Sequence, residues 1–180
     1  MTSLLLQFVF IALLVILPMA LYRSRRSFMA AFYRAMTDNA QALAHDIAAY
    51  GFNTDFAPVA DVWTNKRSNA IGDRAYSDDY DEAATLVSAA VHGFRDAGVI
   101  CCLKHFPGHG DTAVDSHLGL PRVDKMEEAL EQLELIPFRR AIEAGVPAIM
   151  MSHVLFPNIE PEQVPVSYTH LRAHETLANL

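Results

Sequence analysis

Residues 79–105, DYDEAATLVSAAVHGFRDAGVICCLKH, contain a helical pattern followed directly by a short apolar run. The first part, Asp79 to Ala97, has apolar residues at helical spacing, and Gly98 follows it as glycine often follows a helix end. The second part, Val99 to His105, has the length and composition of a buried strand. The stretch therefore predicts one helix and strand unit of an α/β fold.

The same unit occurs three times along the chain. The apolar runs are separated by roughly 45 residues, a spacing typical of repeated strand and helix units whose strands are parallel. We therefore predict an α/β fold in which parallel strands alternate with helices. The other predicted elements are a helix over Ser27–Tyr50 ended by Gly51, a strand over 54–63 that ends near Asp61, a helix over Glu127–Ala144 ended by Gly145, and a strand over Pro147–His153.

The composition excludes some classes of function. The chain has 180 residues, with 14 Lys and Arg against 21 Asp and Glu, for a net charge of -7. Because phosphate neutralisation needs clustered basic residues, this balance argues against a nucleic-acid partner. The two cysteines, Cys101 and Cys102, are adjacent, so we predict small core residues rather than a disulfide framework. We expect no cofactor.

Polar residues follow each predicted strand. Asp61 ends the first strand, Lys104 and His105 end the second, and Ser152 and His153 end the third. In parallel α/β folds the chemistry lies at the carboxyl ends of the strands, and buried unpaired charge is costly. We therefore predict that these residues form one site, with Asp61 and His153 as its weaker candidates.

The densest polar segment is the loop KHFPGHGDTAVDSH, residues 104–117. Its proline and glycines prevent a regular helix, and a loop this polar at a strand end is typical of a functional loop. Asp115 and His117 flank Ser116, so in an extended segment both side chains project the same way and can form a hydrogen-bonded pair. A carboxylate fixes the tautomer of such an imidazole, which makes it a general acid or base near neutral pH.

Three further residues are candidates for binding a polar substrate. Lys104 and His105 supply hydrogen-bond donors suited to hydroxyl groups. Arg74 follows the first predicted strand, where a guanidinium can make bidentate contacts. The alternative for Arg74 is a structural ion pair with Asp73 or Asp61.

The same loop also allows a metal site. A metal-dependent hydrolase that uses the loop histidines is therefore an alternative function. The spacing of these residues matches none of the strong metal motifs, and we predict a site without metal. The competent ligands are His105, His109, Asp111, Asp115 and His117.

The chain also contains five motifs with a shared resemblance, namely FAPVADV at 56–62, IGDRAY at 71–76, KHFPGHGDTAVDSHLGLP at 104–121, LIPFRRAIEAGVPAIMMSHV at 135–154 and PVS at 165–167. Together they resemble glycoside hydrolase family 3 of the β-N-acetylhexosaminidase type, and the resemblance covers Gln41 to Ser167. It implies a (β/α)8 barrel of the TIM type. It also implies hydrolysis of terminal N-acetyl-β-hexosaminide bonds by a retaining mechanism, on an N-acetylglucosamine-containing glycan or muropeptide.

The resemblance further implies a role for each matching residue. The implied roles are an acid/base at His117 assisted by Asp115, binding of the sugar hydroxyls by Arg74, Lys104 and His105, and less defined roles for His109 and Asp111 in the catalytic loop. The nucleophile of the family is an aspartate on a later strand, after the PVS segment, and no residue of this chain matches it. Because a barrel needs about 250 residues, we expect an incomplete barrel with little or no activity of its own.

The two ends of the chain differ in composition from the middle. Residues 4–22 are apolar except for Gln7, long enough to span a bilayer, and followed by arginines. A membrane helix here would make the chain a membrane-anchored protein, and a membrane-tethered sugar-binding module without catalysis is our third hypothesis; the alternative is a buried or foreign segment of a cytoplasmic protein. Residues 168–180 resemble a translated adapter, so His170 and His174 are left out of the site. The predicted segments are 1–26, 27–167 and 168–180.

Overall fold

The computed structural model describes residues 17–67, 70–112 and 120–167. Helices and parallel strands alternate along most of this length, as the sequence predicts. Short 3-10 turns cover Gly72–Arg74 and Pro165–Ser167. The main elements are α1 (Leu17–Ala49), β1 (Thr54–Asp55), α2 (Tyr80–Asp96), β2 (Ile100–Phe106), α3 (Glu127–Gln132), α4 (Leu135–Glu143) and β3 (Ala148–Met151).

The three strands form one open sheet in the order β1, β2, β3, with both neighbouring pairs parallel. Asp55 pairs with Cys101, and Leu103 pairs with Ile149. The α/β class with parallel strands is therefore confirmed, and the described strands form an open sheet rather than a closed barrel. Because the strands are parallel, their carboxyl ends lie at the same edge of the sheet.

The first strand is shorter than predicted. A regular strand covers only Thr54–Asp55, so the prediction of a strand over 54–63 is wrong. Pro58 has no N–H group and interrupts the ladder of hydrogen bonds. Contact with β2 resumes there, because Lys104 N–H donates to the Pro58 oxygen (3.2 Å) and Ala60 N–H donates to the Lys104 oxygen (2.7 Å). Asp61 therefore still follows a segment that is paired with β2.

The predicted helix over Glu127–Ala144 is also wrong as a single element. It is divided into α3 and α4, and Leu133 between them has φ -129° and ψ -86°, outside the helical region. In a continuous helix Pro137 could not donate to the Leu133 oxygen, and its ring would press against that oxygen. The break places Glu134 just before α4, where its side chain is buried.

Helix α1 begins earlier than predicted. It is already helical at Leu17, ten residues before the expected start at Ser27, and it ends at Ala49 before Gly51, whose φ of 88° lies in the left-handed region. The chain divides into two compact units, and the boundary along the sequence falls between Ala35 and Met36. No helix among the described residues is long and apolar enough to cross a membrane. Residues 4–16 of the apolar run lie outside the described residues.

Helix α2 follows the prediction closely. The Asp79 side chain accepts a hydrogen bond from the Glu82 N–H (2.8 Å), and Gly98 follows the end of the helix with φ 74°. Gly93 lies where α2 meets the later part of α1, because a Cβ atom there would stand 2.4 Å from the Thr37 oxygen. Only glycine allows this close approach.

The main core lies between β2, the helices α2 and α4, and the part of α1 that belongs to the second unit. Both cysteines are buried and free, which confirms them as core residues. This core fixes β2 and therefore fixes the strand end that carries the candidate site. Its buried members include Ala40, Ala44, Val87, Val91, Phe94, Cys101, Leu103, Phe138 and Ala141.

Candidate active site

The centre of the candidate site is the carboxylate of Asp61. Its side chain is fully buried, and three N–H groups converge on it. Asp61 Oδ2 lies 2.7 Å from Nδ1 of His105 and 3.2 Å from the backbone nitrogen of the same residue, and Oδ1 accepts from the His109 backbone N–H at 2.7 Å. A buried carboxylate is tolerated only when such donors replace its water shell. Asp61, a weaker candidate from the sequence, therefore organises this edge of the sheet.

The His105 ring is oriented by this contact. A carboxylate can only accept hydrogen bonds, so Nδ1 carries the proton that faces Asp61; this tautomer is inferred from the contact. In this tautomer Nε2 carries a lone pair and can accept a hydrogen bond. His105 is thus held in one orientation at the end of β2, and among the described residues only its Nδ1 has a hydrogen-bond partner on the ring.

His109 is buried beside His105, with ring centroids 5.7 Å apart and the rings edge to face. His109 Nδ1 lies 2.9 Å from Thr112 Oγ1, and that hydroxyl donates to the His109 oxygen at 2.9 Å. The ring therefore donates from Nδ1 to the hydroxyl. These contacts make His109 a residue that shapes the loop.

The loop after β2 is seated on the segment that follows Asp61. A Cβ atom at Gly110 would stand 1.8 Å from the Val62 oxygen, so only glycine fits there. Asn65 closes the contact, since its backbone N–H donates to the Gly110 oxygen (3.3 Å) and its side-chain amide donates to the Thr112 oxygen (3.3 Å). The first half of the histidine-rich loop is therefore fixed against residues 61–65.

A second set of contacts holds the same loop at Asp111. Asp111 Oδ2 lies 3.0 Å from Lys125 Nζ, and Lys125 Nζ also contacts Glu134 Oε1. Tyr80 donates its hydroxyl to the same Glu134 oxygen at 3.0 Å. Thr64 donates its hydroxyl to Asp111 Oδ1 at 3.3 Å. We call Tyr80, Asp111, Lys125 and Glu134 the Lys125 network.

The charges of the Lys125 network shift two pKa values. Burial, followed by the negative charge of Glu134, raises the pKa of Tyr80 to about 12. Burial alone would lower the pKa of Lys125, but its hydrogen bonds to Glu134 and Asp111 outweigh burial and raise this pKa above its usual value. Lys125 therefore remains charged at neutral pH.

Sequence reasoning missed Tyr80, Lys125 and Glu134. Each looks like an ordinary polar residue of a helix or a loop, and their contact depends on the tertiary fold. One signal was available for Glu134. Pro137 lies three residues after Glu134 and predicts that the helix is interrupted before it. A glutamate at such an interruption is not free to face solvent along a helix surface.

Arg74 and Lys104, two further candidates from the sequence, differ in the contacts that they make. The Arg74 guanidinium contacts the backbone oxygens of Ala70 and Ile71, and the alternative ion pair with Asp73 or Asp61 is not found in the described part of the chain. Lys104 is held to the first strand segment through its backbone N–H and oxygen. Its side chain is partly buried.

The end of β3 lies beside the end of β2. Ser152 N–H donates to the Phe106 oxygen at 2.8 Å, and the Ser152 hydroxyl is buried without a hydrogen-bond partner among the described residues. His153 is exposed. The three strand ends are therefore adjacent at the backbone, and within the described ranges the side-chain hydrogen bonds of these ends join Asp61, His105 and the loop.

Asp115 and His117, the predicted acid/base pair, lie in residues 113–119, outside the described residues. His117 is also the third histidine of the alternative metal site, and Asp115 is one of its carboxylates. Within the described ranges no group of three His, Cys, Asp or Glu side chains is placed to hold a metal ion.

The sequence pattern of a known family matches most of the chain. The match is to the "Glycosyl hydrolase family 3 N terminal domain" and covers residues 18–176. The chain belongs to glycosyl hydrolase family 3. The family predicted from the five motifs is thereby confirmed.

Relatives in family 3 share the sequence and the fold. A protein named "Beta-hexosaminidase" from Xanthomonas oryzae pv. oryzae (strain MAFF 311018) is 43% identical over 131 residues, which are 73% of this chain and 38% of that protein. A solved family 3 β-N-acetylglucosaminidase from Paenibacillus sp. str. FPU-7 is 45% identical with a TM-score of 0.70, and the match covers 75% of this chain and 27% of that one.

NagZ from Neisseria gonorrhoeae, solved in complex with N-trifluoroacetyl-D-glucosamine, is 34% identical with a TM-score of 0.70. This match covers 74% of our chain and 39% of the NagZ chain. The chain therefore spans between 27% and 39% of the length of these relatives, and its open three-stranded sheet corresponds to part of their fold.

Proposed function

We propose that this chain is the part of a family 3 β-N-acetylhexosaminidase that carries the sugar-binding lysine and histidine and the acid/base loop. One observation supports this most strongly. The buried Asp61 carboxylate binds both His105 and the His109 backbone, so it joins a strand end to a histidine-rich loop at the carboxyl edge of a parallel sheet. Active sites of barrel enzymes lie at this edge.

The proposed substrate is a terminal N-acetylglucosamine residue of a glycan or muropeptide. Relatives named beta-hexosaminidase and a relative solved with an N-acylated glucosamine support this class of sugar. We assign the binding of its hydroxyls to Lys104, His105 and Arg74. His105 suits this role, since Asp61 fixes its ring and Nε2 can accept a hydrogen bond from a sugar hydroxyl. In this arrangement the ring accepts from the sugar, whereas the sequence predicted a donor.

We assign the acid/base role to His117, assisted by Asp115. In a retaining reaction His117 protonates the oxygen of the leaving group while a carboxylate attacks the anomeric carbon and forms a glycosyl-enzyme. His117 then removes a proton from the water that releases the sugar. Asp115 would hold the imidazole in the tautomer required for both steps. We assign the nucleophile to no residue of this chain.

The test is a hybrid protein in which residues 36–167 replace the matching stretch of the Paenibacillus β-N-acetylglucosaminidase. The rest of the barrel, with its own nucleophile, then comes from that enzyme. We expect the hybrid to release 4-nitrophenol from 4-nitrophenyl N-acetyl-β-glucosaminide. It should act at least about a hundredfold more slowly on 4-nitrophenyl β-glucoside, because the groups that bind the 2-acetamido substituent are then left without a partner.

In the hybrid, Lys104→Ala tests the sugar-binding assignment, and Lys66→Ala is its matched control. Lys66 forms an exposed ion pair with Asp78, and its ammonium lies 4.5 Å from the centre of the Trp63 ring, so its side chain has other partners than the strand end. Loss of activity in the first variant and retention in the second supports the sugar-binding assignment. A folded hybrid that prefers the glucoside, or that hydrolyses neither compound, would contradict the proposed function; far-UV circular dichroism establishes folding.

A further inference from the structure

The Lys125 network is unusual because it buries charge without contributing to a hydrophobic core. The Glu134 side chain is only 7% exposed and the Lys125 side chain 23% exposed. Burying an ion pair gives little net stability, since desolvation offsets the attraction between the charges. A buried pair of this kind therefore points to a role in fixing geometry.

The network contacts the histidine loop at two places. Asp111 belongs to the loop and binds Lys125 directly. Gly108, three residues earlier, packs against the stem of Glu134, since a Cβ atom at Gly108 would stand 2.9 Å from Glu134 Cγ. Both contacts differ from those that Asp61 and Val62 make with the loop.

The charge balance shows which residue controls the arrangement. Lys125 is a single positive charge between two carboxylates, those of Asp111 and Glu134. Without Lys125 these carboxylates would face each other and repel. If Asp111 were neutral, Lys125 would still be held by Glu134. Lys125 is therefore the residue whose loss most affects the loop.

We infer that the Lys125 network is a positioning device for the catalytic loop. It holds Asp111 and, with it, the described part of the loop, which leads along the sequence to Asp115 and His117. Lys125 and Glu134 are positioning residues in this account, and Asp111 is the loop residue on which they act. The inference rests on the proposed function for the role of His117, but its structural content can be tested without hydrolysis.

The test is amide hydrogen exchange, measured by mass spectrometry on the full 180-residue chain. The amides of Gly108 and His109 donate within the site, to the His105 oxygen and to Asp61. In the Lys125→Met variant we expect the peptide covering 105–112 to exchange at least about tenfold faster, because the loop opens locally. Exchange in residues 100–104 of β2 and in α2 beyond its first turn should remain unchanged.

Two further variants separate positioning from general stability. Lys125→Arg keeps the charge between the two carboxylates, so we expect it to restore most of the protection lost in Lys125→Met. Asp111→Asn should have a smaller effect than Lys125→Met, because Lys125 keeps its contact with Glu134. Lys66→Met is the matched control, since it removes a lysine from the exposed ion pair with Asp78. It should leave the loop unchanged.

Unchanged loop exchange in Lys125→Met would overturn the inference. Equal acceleration in the loop and in the core would also overturn it, because that result indicates a purely stabilising role. An inactive hybrid enzyme, by contrast, would count against the proposed function. The exchange result could still be interpreted, because it does not depend on hydrolysis.

Discussion

Asp61 and His105 are joined twice: Oδ2 of the aspartate lies 2.7 Å from Nδ1 of the histidine ring and 3.2 Å from the histidine backbone nitrogen. The carboxylate thus fixes both the ring and the backbone of the residue that ends β2. The other oxygen holds the next turn of the loop through the His109 N–H. One buried charge therefore sets the geometry of the whole strand end.

Replacement of Asp61 should be costly. We expect Asp61→Asn to lower the free energy of unfolding by about 3 kcal/mol, because it removes a buried charge on which three N–H groups depend. Urea denaturation measures this change. Asp78→Asn, in the exposed ion pair with Lys66, is the control and should change the stability by less than the experimental error. Equal losses in both variants would contradict the central role of Asp61.

Gly110→Ala should displace the loop. The added Cβ atom would stand 1.8 Å from the Val62 oxygen, and relief of this clash costs about 1–3 kcal/mol. Trp63, the single tryptophan of the chain, follows Val62 and reports on this contact. We expect its fluorescence emission to shift in Gly110→Ala.

Gly98→Ala is the matched control for this substitution. Gly98 has φ 74° and no neighbour within 4 Å of an added Cβ atom, so alanine there strains only the backbone, by about 1 kcal/mol. The emission of Trp63 should stay unchanged in that variant. An unchanged emission in Gly110→Ala as well would mean that the loop is not seated on Val62.

The two cysteine thiols should be inert in the folded chain. Burial raises the pKa of Cys101 to about 11, and burial also raises the pKa of Cys102. Because the thiolate is the reactive form, both thiols should react with Ellman's reagent at pH 8 far more slowly than a free thiol. In denaturant two thiols per chain should react at once. Rapid reaction of either thiol in the folded chain would contradict the buried placement.

The Tyr80 hydroxyl should lose its proton at a higher pH than an ordinary tyrosine. Its pKa is raised to about 12 from an ordinary value of 10.0, so between these pH values the folded state holds a proton that the unfolded state has lost. Stability therefore falls as the pH rises through this window. The absorbance of tyrosinate at 295 nm measures the titration, and the difference between the wild type and Tyr80→Phe isolates one group. A difference curve centred near pH 10 would contradict the burial of Tyr80 beside Glu134.

The sequence predicted those elements that depend on local signals. Helix α2 begins at the cap formed by Asp79 and ends before Gly98, and both signals lie next to the element that they limit. The loop of histidines and glycines could also be predicted, because its composition excludes a helix and a core strand. The repeated strand and helix patterns predicted the α/β class, and the resemblance to the family added the barrel.

The errors concern one local signal that was passed over and residues whose effect depends on a partner. Pro137 signals the helix break locally, but the apolar pattern of residues 127–144 is continuous and favoured a single helix. Pro58 interrupts β1 because it has no N–H to pair with β2. Asp61 and Glu134 are buried by residues far away in the sequence. A single sequence shows that such residues are charged, but it does not show which groups form hydrogen bonds or ion pairs with them.

The most direct test of the account concerns His117 in the hybrid enzyme. We predict that His117→Gln greatly slows release of N-acetylglucosamine from a substrate with a good leaving group, and that azide restores the rate by forming the β-glycosyl azide. This outcome is expected because attack on a glycosyl-enzyme by an anion needs no general base. A His117→Gln hybrid that keeps its full rate, or that forms no β-azide, would contradict the assignment of this loop as the acid/base of the enzyme.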